Sequence, residues 1–254
     1  MSPEMLTEQF VLFVIAVVAN LFSALAGGGA GLLQFPVLLF LGLPFAVALA
    51  THKIASVALG VGATIRHLRS SQYERRFFLF ILVTGVPGVL LGAWLILDVP
   101  ELLARKALGV LTLGLGLYSI VRRDLGQVHQ PRYQQGMAFY FGGLMLFLIG
   151  VLNGSLASGT GLFVTMWLVR WFGLDYQRAV AYTLVTVGLV WNGSGAIALG
   201  VWGEVQWAWL PALLLGSLIG GYLGAHLALA KGNRLIKRTF EVVTIAVGMK
   251  LLVS

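Results

Sequence analysis

Long apolar segments alternate with short clusters of basic residues along this chain of 254 residues. A helix rises 1.5 Å per residue, so about 20 apolar residues cross the ~30 Å hydrocarbon core of a bilayer. The pattern predicts six membrane-spanning helices, at 44–64, 77–97, 106–121, 179–200, 207–230 and 239–254. The segments 106–121 and 239–254 are short, so we expect flanking residues at the membrane surface to complete them.

Two further apolar stretches, 9–42 and 137–172, are interrupted near their middle. The interruptions are the glycine-rich run Gly27–Gly31 and the segment Ser158–Gly161. About a dozen helix-compatible residues follow each break, which is too few to cross a bilayer comfortably. We therefore expect two hairpins or discontinuous helices that turn inside the membrane.

Composition agrees with a membrane protein. Hydrophobic residues make up 59% of the chain and charged residues only 10%, against roughly 45–50% and 25% in soluble domains. These values exclude a soluble enzyme, and the absence of cysteine excludes a disulfide scaffold and thiolate metal sites. Glu4 and Glu8 precede the first apolar stretch without a basic residue, which predicts a retained segment rather than a signal peptide.

The net charge of +8 is divided unequally between the two faces of the membrane. If both broken stretches return to the face they left, one face carries about +10 and the other about −2, and the positive-inside rule assigns the first to the cytoplasm. The basic loops are 66–76, 122–135, 170–178 and 231–238. This predicts that both termini lie outside, and it argues against nucleic-acid binding.

The two halves of the chain resemble each other at an offset of 131–132 residues. Gly42-Leu43 matches Gly173-Leu174, and Arg105-Lys106 matches Lys237-Arg238. The predicted fold is an all-α polytopic membrane protein with two repeats, 1–126 and 127–254. Each repeat has one broken-helix hairpin and three transmembrane helices, and this odd number of crossings makes the repeats inverted. Inverted repeats with broken helices are typical of secondary transporters, whose binding site lies where the breaks meet.

The glycine breaks are candidate anion sites. Each is followed by a half-helix, at about 32–42 and 162–172, whose first N–H groups are unpaired and partly positive. The alternative is that the glycines allow helices to pack closely. We favour packing for the glycines of the intact helices, namely Gly88, Gly92, Gly216, Gly220 and Gly224.

Lys53 is the candidate on which the site prediction depends most. It lies nine residues after Pro44, or ~13 Å along a helix, and charge at that depth is costly and usually functional. We expect Lys53 to supply positive charge, while His52 donates a hydrogen bond or titrates. The matching helix places Tyr182 and Thr183 at the same depth from the opposite face. The alternative is that Lys53 snorkels or caps the carbonyl groups of a broken helix.

The predicted substrate site combines the two breaks, the Lys53 region, the matching hydroxyl residues and Asn153, which precedes the second break. Its candidate residues are Gly28, Gly29, Ala30, Gly31, Thr51, His52, Lys53, Asn153, Ser158, Gly159, Thr160, Gly161, Tyr182 and Thr183. No catalytic motif or paired intramembrane carboxylate occurs, so we expect no catalytic residues, no metal and no cofactor.

The chain resembles the TauE/SafE sulfite exporters, a family of membrane anion transporters. The resemblance is carried by 25–60, with its glycine run and the Ala-Thr-x-Lys-x-x-Ser element ending at Ser56, and more weakly by 153–184. It implies a carrier for a small anion, often sulfite or an organosulfonate, in the bacterial cytoplasmic membrane. His52 and the Ser-Gly-Thr-Gly second break depart from the family pattern, which leaves the substrate open.

Two other functions fit the same residues. One is a passive anion channel on the same scaffold, and the other is a membrane scaffold subunit that transports nothing. The expected partners are a small anionic substrate and the lipid bilayer, and glycine-rich helix faces could also pack within the chain or across a homodimer.

Overall fold

The computed structural model describes residues 3–28, 30–67, 73–95, 101–155, 159–202 and 204–253. These residues form helices and connecting turns, and no strand occurs among them. The helices are α1 Pro3–Ala26, α2 Ala30–Phe40, α3 Phe45–His67, α4 Arg75–Leu95, α5 Glu101–Val121, α6 Gly136–Ser155, α7 Thr160–Arg170, α8 Tyr176–Thr183, a π-helix Leu184–Trp191, α9 Asn192–Trp202, a 3₁₀ turn Trp207–Trp209, α10 Leu210–Lys231 and α11 Asn233–Val253.

Six helical segments in the described part of the chain are long and apolar enough to cross a membrane. They are Met5–Ala26, Val47–His67, Arg75–Leu95, Gly136–Ser155, Tyr176–Ala198 and Trp207–Lys231. The protein is therefore an all-α polytopic membrane protein, and the predicted fold class is confirmed.

The six segments are not the same six that the sequence pattern predicts. The helices α1 and α6, expected as halves of hairpins, are long enough to cross by themselves, whereas α5 and α11 are absent from the set. Both α5 and α11 have 21 residues rather than the expected 16, because the charged residues that flank their apolar parts are helical. The half-helices α2 and α7 have 11 residues each and begin at Ala30 and Thr160, two residues earlier than expected.

The predicted span 179–200 is interrupted by a π-helix between α8 and α9. A π-helix has i→i+5 hydrogen bonds, is rare, and occurs frequently at functional sites. Here it crosses α3 closely, since a Cβ added at Gly60 would lie 2.4 Å from the carbonyl carbon of Gly188.

Glycines bring two pairs of long helices into backbone contact. Where α10 packs on α1, a Cβ at Gly224 would lie 2.3 Å from the carbonyl oxygen of Leu21. Where α4 packs on α6, a Cβ at Gly92 would lie 2.0 Å from the carbonyl oxygen of Val151. The packing role expected for these glycines is confirmed, and the contacts lie within one chain.

The short helices α7 and α8 lie among the other helices, in the interior of the protein. The core residues of α7 and α8 are buried, with Leu162, Leu168 and Tyr176 at 0% exposure, whereas Val83 of α4 is 71% exposed and Phe10 of α1 is 66% exposed. Exposed apolar side chains on long helices are suited to lipid contact. The start of α7 and the junction of α8 with the π-helix therefore lie in the protein interior, where irregular backbone is tolerated.

Candidate functional site

The two glycine breaks meet in the interior. A Cβ added at Gly28 would lie 2.6 Å from Cα of Gly161, so the two backbones are in direct contact. Gly28 also has a φ of +138°, which L side chains rarely adopt. The hydroxyl of Thr165, in α7, donates to the carbonyl oxygen of Gly27 at 2.7 Å. The structure therefore places the start of α2 beside the start of α7.

A small cavity lies at these two helix starts, with a volume of about 40 Å³. The first N–H groups of an α-helix have no partner within the helix, and Gly159, before α7, supplies no side-chain cap. The cavity is lined by Ser23, Gly28, Ala30, Gly31, His52, Ser56, Leu59, Asn153, Gly159, Thr160, Gly161, Thr183, Leu184, Val187, Gly188 and Asn192. Its wall thus combines helix N-termini with neutral polar side chains.

Lys53 is buried directly behind this wall, at 2% exposure. Its Nζ donates to the backbone carbonyl and to Oδ1 of Asn153, the latter at 3.0 Å, and lies 3.5 Å from Oδ1 of Asn192. Asn153 is in the last turn of α6, so Lys53 caps a carbonyl group at the end of a broken helix. All three acceptors are neutral oxygens, and Lys53 has no carboxylate partner among the described residues.

The amides connect Lys53 to the cavity. The Nδ2 of Asn153 donates to the hydroxyl of Thr160 at 2.7 Å and to Oδ1 of Asn192 at 3.3 Å. Asn153 and Asn192 both line the cavity, while Lys53 does not. Lys53 therefore caps a carbonyl group of α6, and its amino group lies one amide group away from the cavity.

His52 and Ser56 contribute a second polar edge, one helical turn apart on α3. The Nε2 of His52 and the Oγ of Ser56 are 3.1 Å apart, and Ser56 also donates to the carbonyl of His52 at 2.9 Å. Since the hydroxyl proton is used in the second bond, the geometry favours His52 as donor to Ser56.

Besides Lys53, two predicted site residues in the described part of the chain do not line the cavity. Thr51 accepts a hydrogen bond from the backbone N–H of Gln206 at 3.0 Å, and the Tyr182 hydroxyl accepts one from the backbone N–H of Glu74 at 2.7 Å. Successive residues of a helix point about 100° apart. Thr51 and Tyr182 consequently point away from the cavity, while their neighbours His52 and Thr183 face it. Gly29 and Ser158 lie outside the described residues.

Several residues of the cavity wall were not predicted from the sequence. Ser23 is contributed by α1, and Leu184, Val187 and Gly188 are contributed by the π-helix. Asn192, the first residue after the π-helix, also lines the cavity. No sequence period marks a π-helix, so these positions carried no signal beyond their apolar character. Among the described residues, no group of His, Asp and Glu side chains could hold a metal ion.

Comparison with known proteins places this architecture in a family. The model of the sulfite exporter family TauE/SafE matches residues 12–251. The chain belongs to the TauE/SafE family. This assignment agrees with the resemblance carried by the glycine run and the Lys53 element.

Relatives of this TauE/SafE protein carry the name of probable membrane transporter proteins. One from Haemophilus influenzae is 31% identical over 89% of this chain and 88% of its own length. YfcA from Escherichia coli K12 is 29% identical over 95% of this chain and 88% of its own length. YunE from Bacillus subtilis is 22% identical over 95% and 96%. No solved structure matches the chain.

Proposed function

We propose that this protein is a secondary transporter that moves sulfite or a small organosulfur anion across the bacterial cytoplasmic membrane by alternating access. Family membership and the names of the relatives support membrane transport. The choice of an anion as the substrate rests on the buried ammonium group of Lys53, whose hydrogen-bond acceptors are all neutral. A cation buried without a counter-charge is costly, and a bound anion in the adjacent cavity would offset that cost.

The cavity offers an oxyanion several kinds of donor. The first backbone N–H groups of α2 and α7 are directed toward the cavity end of each helix, where the helix dipoles are positive. The side chains of Asn192 and Thr183 line the same space. One water molecule needs about 10–15 Å³ of such space, so about 40 Å³ suits an anion of a few heavy atoms better than a large metabolite.

The pairing of helices supports inverted halves of residues 1–126 and 127–254. The first helix of the first half packs on α10, and α6, the first helix of the second half, packs on α4. The close contacts correspond: Gly92 meets the carbonyl of Val151, and Gly224 meets that of Leu21. Such an exchange of equivalent partners is expected when two halves rock about a shared central site. The basic loops would then face the cytoplasm, with both termini outside.

The proposal is tested by flux of sulfite, thiosulfate and small sulfonates in proteoliposomes containing the full chain. Thr183→Val removes the hydroxyl of a residue that lines the cavity, while Tyr182→Phe, the matched control, removes the hydroxyl of a residue that does not. We expect Thr183→Val to raise the half-saturating concentration about fivefold, as loss of a hydrogen bond of ~1 kcal/mol predicts, and Tyr182→Phe to leave it unchanged. Equal effects of the two variants on flux would contradict this placement of the site.

The same vesicles distinguish a carrier from a channel. Alternating access predicts saturating, slow flux and counterflow of labelled substrate against unlabelled substrate. Single-channel currents in a planar bilayer would refute the carrier. Absence of flux for every anion, together with absence of binding, would favour a scaffold subunit.

A further inference from the structure

A second and larger cavity lies at the surface, and it shares no lining residue with the cavity at the glycine breaks. It has a volume of about 600 Å³ and is formed by the end of α5, the following loop and the end of α7. The cavity is lined by four arginines, Arg122, Arg123, Arg132 and Arg170. Asp124 is the single carboxylate among the lining residues. These residues belong to the basic loops 122–135 and 170–178, which the charge count assigns to the cytoplasmic face.

The four arginines are available to a ligand. All four are exposed, and none forms an ion pair with another residue in the described part of the chain. Arg132 makes one side-chain hydrogen bond, to Oε1 of Gln130 at 3.0 Å. Burial and the nearby Arg178 hold the pKa of His129 below its usual 6.5, against the opposing effect of Asp175. The arginines therefore carry the positive charge of this cavity at pH 7.

The rim of the cavity is apolar on the side of α5. Val121 is 77% exposed and Val128 is 66% exposed, and both line the cavity. Val121 continues an exposed stripe that includes Leu117 and Val110, at spacings of four and seven residues on one helix face. An exposed apolar stripe of this kind on a helix of a membrane protein is suited to contact with acyl chains, so the cavity adjoins a surface suited to lipid.

We propose that this cavity binds the phosphate group of an anionic phospholipid, with the acyl chains lying along α5. Arginine recognises phosphate through paired, charge-assisted hydrogen bonds, and basic pockets at the cytoplasmic ends of transmembrane helices suit anionic headgroups. The apolar rim favours a lipid over free phosphate, because free phosphate has no apolar group that could pack against the rim. This site is separate from the proposed anion pathway and does not depend on it.

The test measures thermal stabilisation of the detergent-solubilised full chain by dioleoyl phosphatidylglycerol, dioleoyl phosphatidylcholine or inorganic phosphate. The variant R123Q/R170Q removes two lining charges from two different elements. The control R234Q/R238Q removes the same charge from exposed arginines in the first turns of α11, on the same predicted face. An arginine next to a bound anionic headgroup contributes ~1 kcal/mol, or about fivefold in affinity, so we expect the first variant to weaken the phosphatidylglycerol effect more than tenfold. The control arginines do not line the cavity, so we expect their loss to change the effect less than threefold.

Each alternative result has a definite meaning. Equal loss in both double variants, or equal stabilisation by phosphatidylcholine, would overturn a specific site. Stabilisation by inorganic phosphate at the same concentration as by phosphatidylglycerol would overturn the lipid as the ligand and assign the cavity to a soluble phosphate compound. The conservative variant R123K/R170K retains the charge and checks that the glutamine variant fails through lost charge rather than misfolding.

Discussion

Replacement of Lys53 by methionine tests the electrostatic origin of anion binding. Methionine has a similar length and no charge, so Lys53→Met removes the ammonium group while filling much of the same space. The variant also leaves two oxygens of Asn153 without the donor that Lys53 provides. The change therefore separates the charge of the site from its shape.

The expected magnitude follows from the geometry. Lys53 Nζ lies 3.0 Å from Oδ1 of Asn153, and an anion in the cavity, in contact with the far side of that amide, would lie ~6.5 Å from Nζ. With an effective dielectric constant of ~20, two unit charges at ~6.5 Å interact by about 2.5 kcal/mol. This corresponds to about a 70-fold weaker affinity in Lys53→Met.

Calorimetric titration of the purified variants with sulfite measures this effect directly, and proteoliposome flux provides a second readout. Lys53→Arg is the matched control because it retains the charge, and we expect it to lose less affinity than Lys53→Met. Thermal unfolding of both variants verifies that they are folded. Wild-type affinity and flux in Lys53→Met, for every anion that the wild type binds, would refute the electrostatic role of this residue.

Two further predictions concern stability. Gly28→Ala forces a Cβ to within 2.6 Å of Gly161 at a φ of +138°, so we expect it to lower the yield of folded protein in size-exclusion chromatography; Gly114→Ala, where no atom lies within 4 Å, should be neutral. Lys237→Met leaves Glu241, its partner in an ion pair at the end of the bundle, without its lysine. A loss of about 2 kcal/mol is expected because Glu241 is partly solvated, and thermal unfolding would show it; an unchanged unfolding temperature would contradict it.

The sequence was most informative where a residue type is unfavourable in the apolar segment that contains it. A glycine run inside an apolar stretch and a lysine at membrane depth both carry a cost in lipid, so each predicts a special location without knowledge of the fold. The structure brings Gly28 and Gly161 into contact and buries Lys53 behind the same cavity. The fold class was predictable for a similar reason, because the length and spacing of apolar runs are fixed by the bilayer.

The finer details of the cavity depend on rotation about helix axes, which the sequence determines poorly. The helix expected to begin at 179 begins at Tyr176, and adjacent residues differ by about 100° in direction. A small error in phase therefore exchanges Tyr182 for Thr183 in the cavity wall. The π-helix adds a change of phase of its own, and it positions Asn192 toward Lys53 without any periodic signal.

The two buried lysines of the described chain show why only one is a candidate for binding an exchangeable anion. Lys237 is 7% exposed and donates to the carbonyl of Ser119, much as Lys53 donates to that of Asn153. Lys237, however, is paired with Glu241, so its charge is already compensated within the protein. Lys53 contacts only neutral oxygens, and neutral partners satisfy its hydrogen bonds without cancelling its charge. Under the proposed function, the field of Lys53 extends into the cavity, so that an anion entering from solution both responds to it and leaves again.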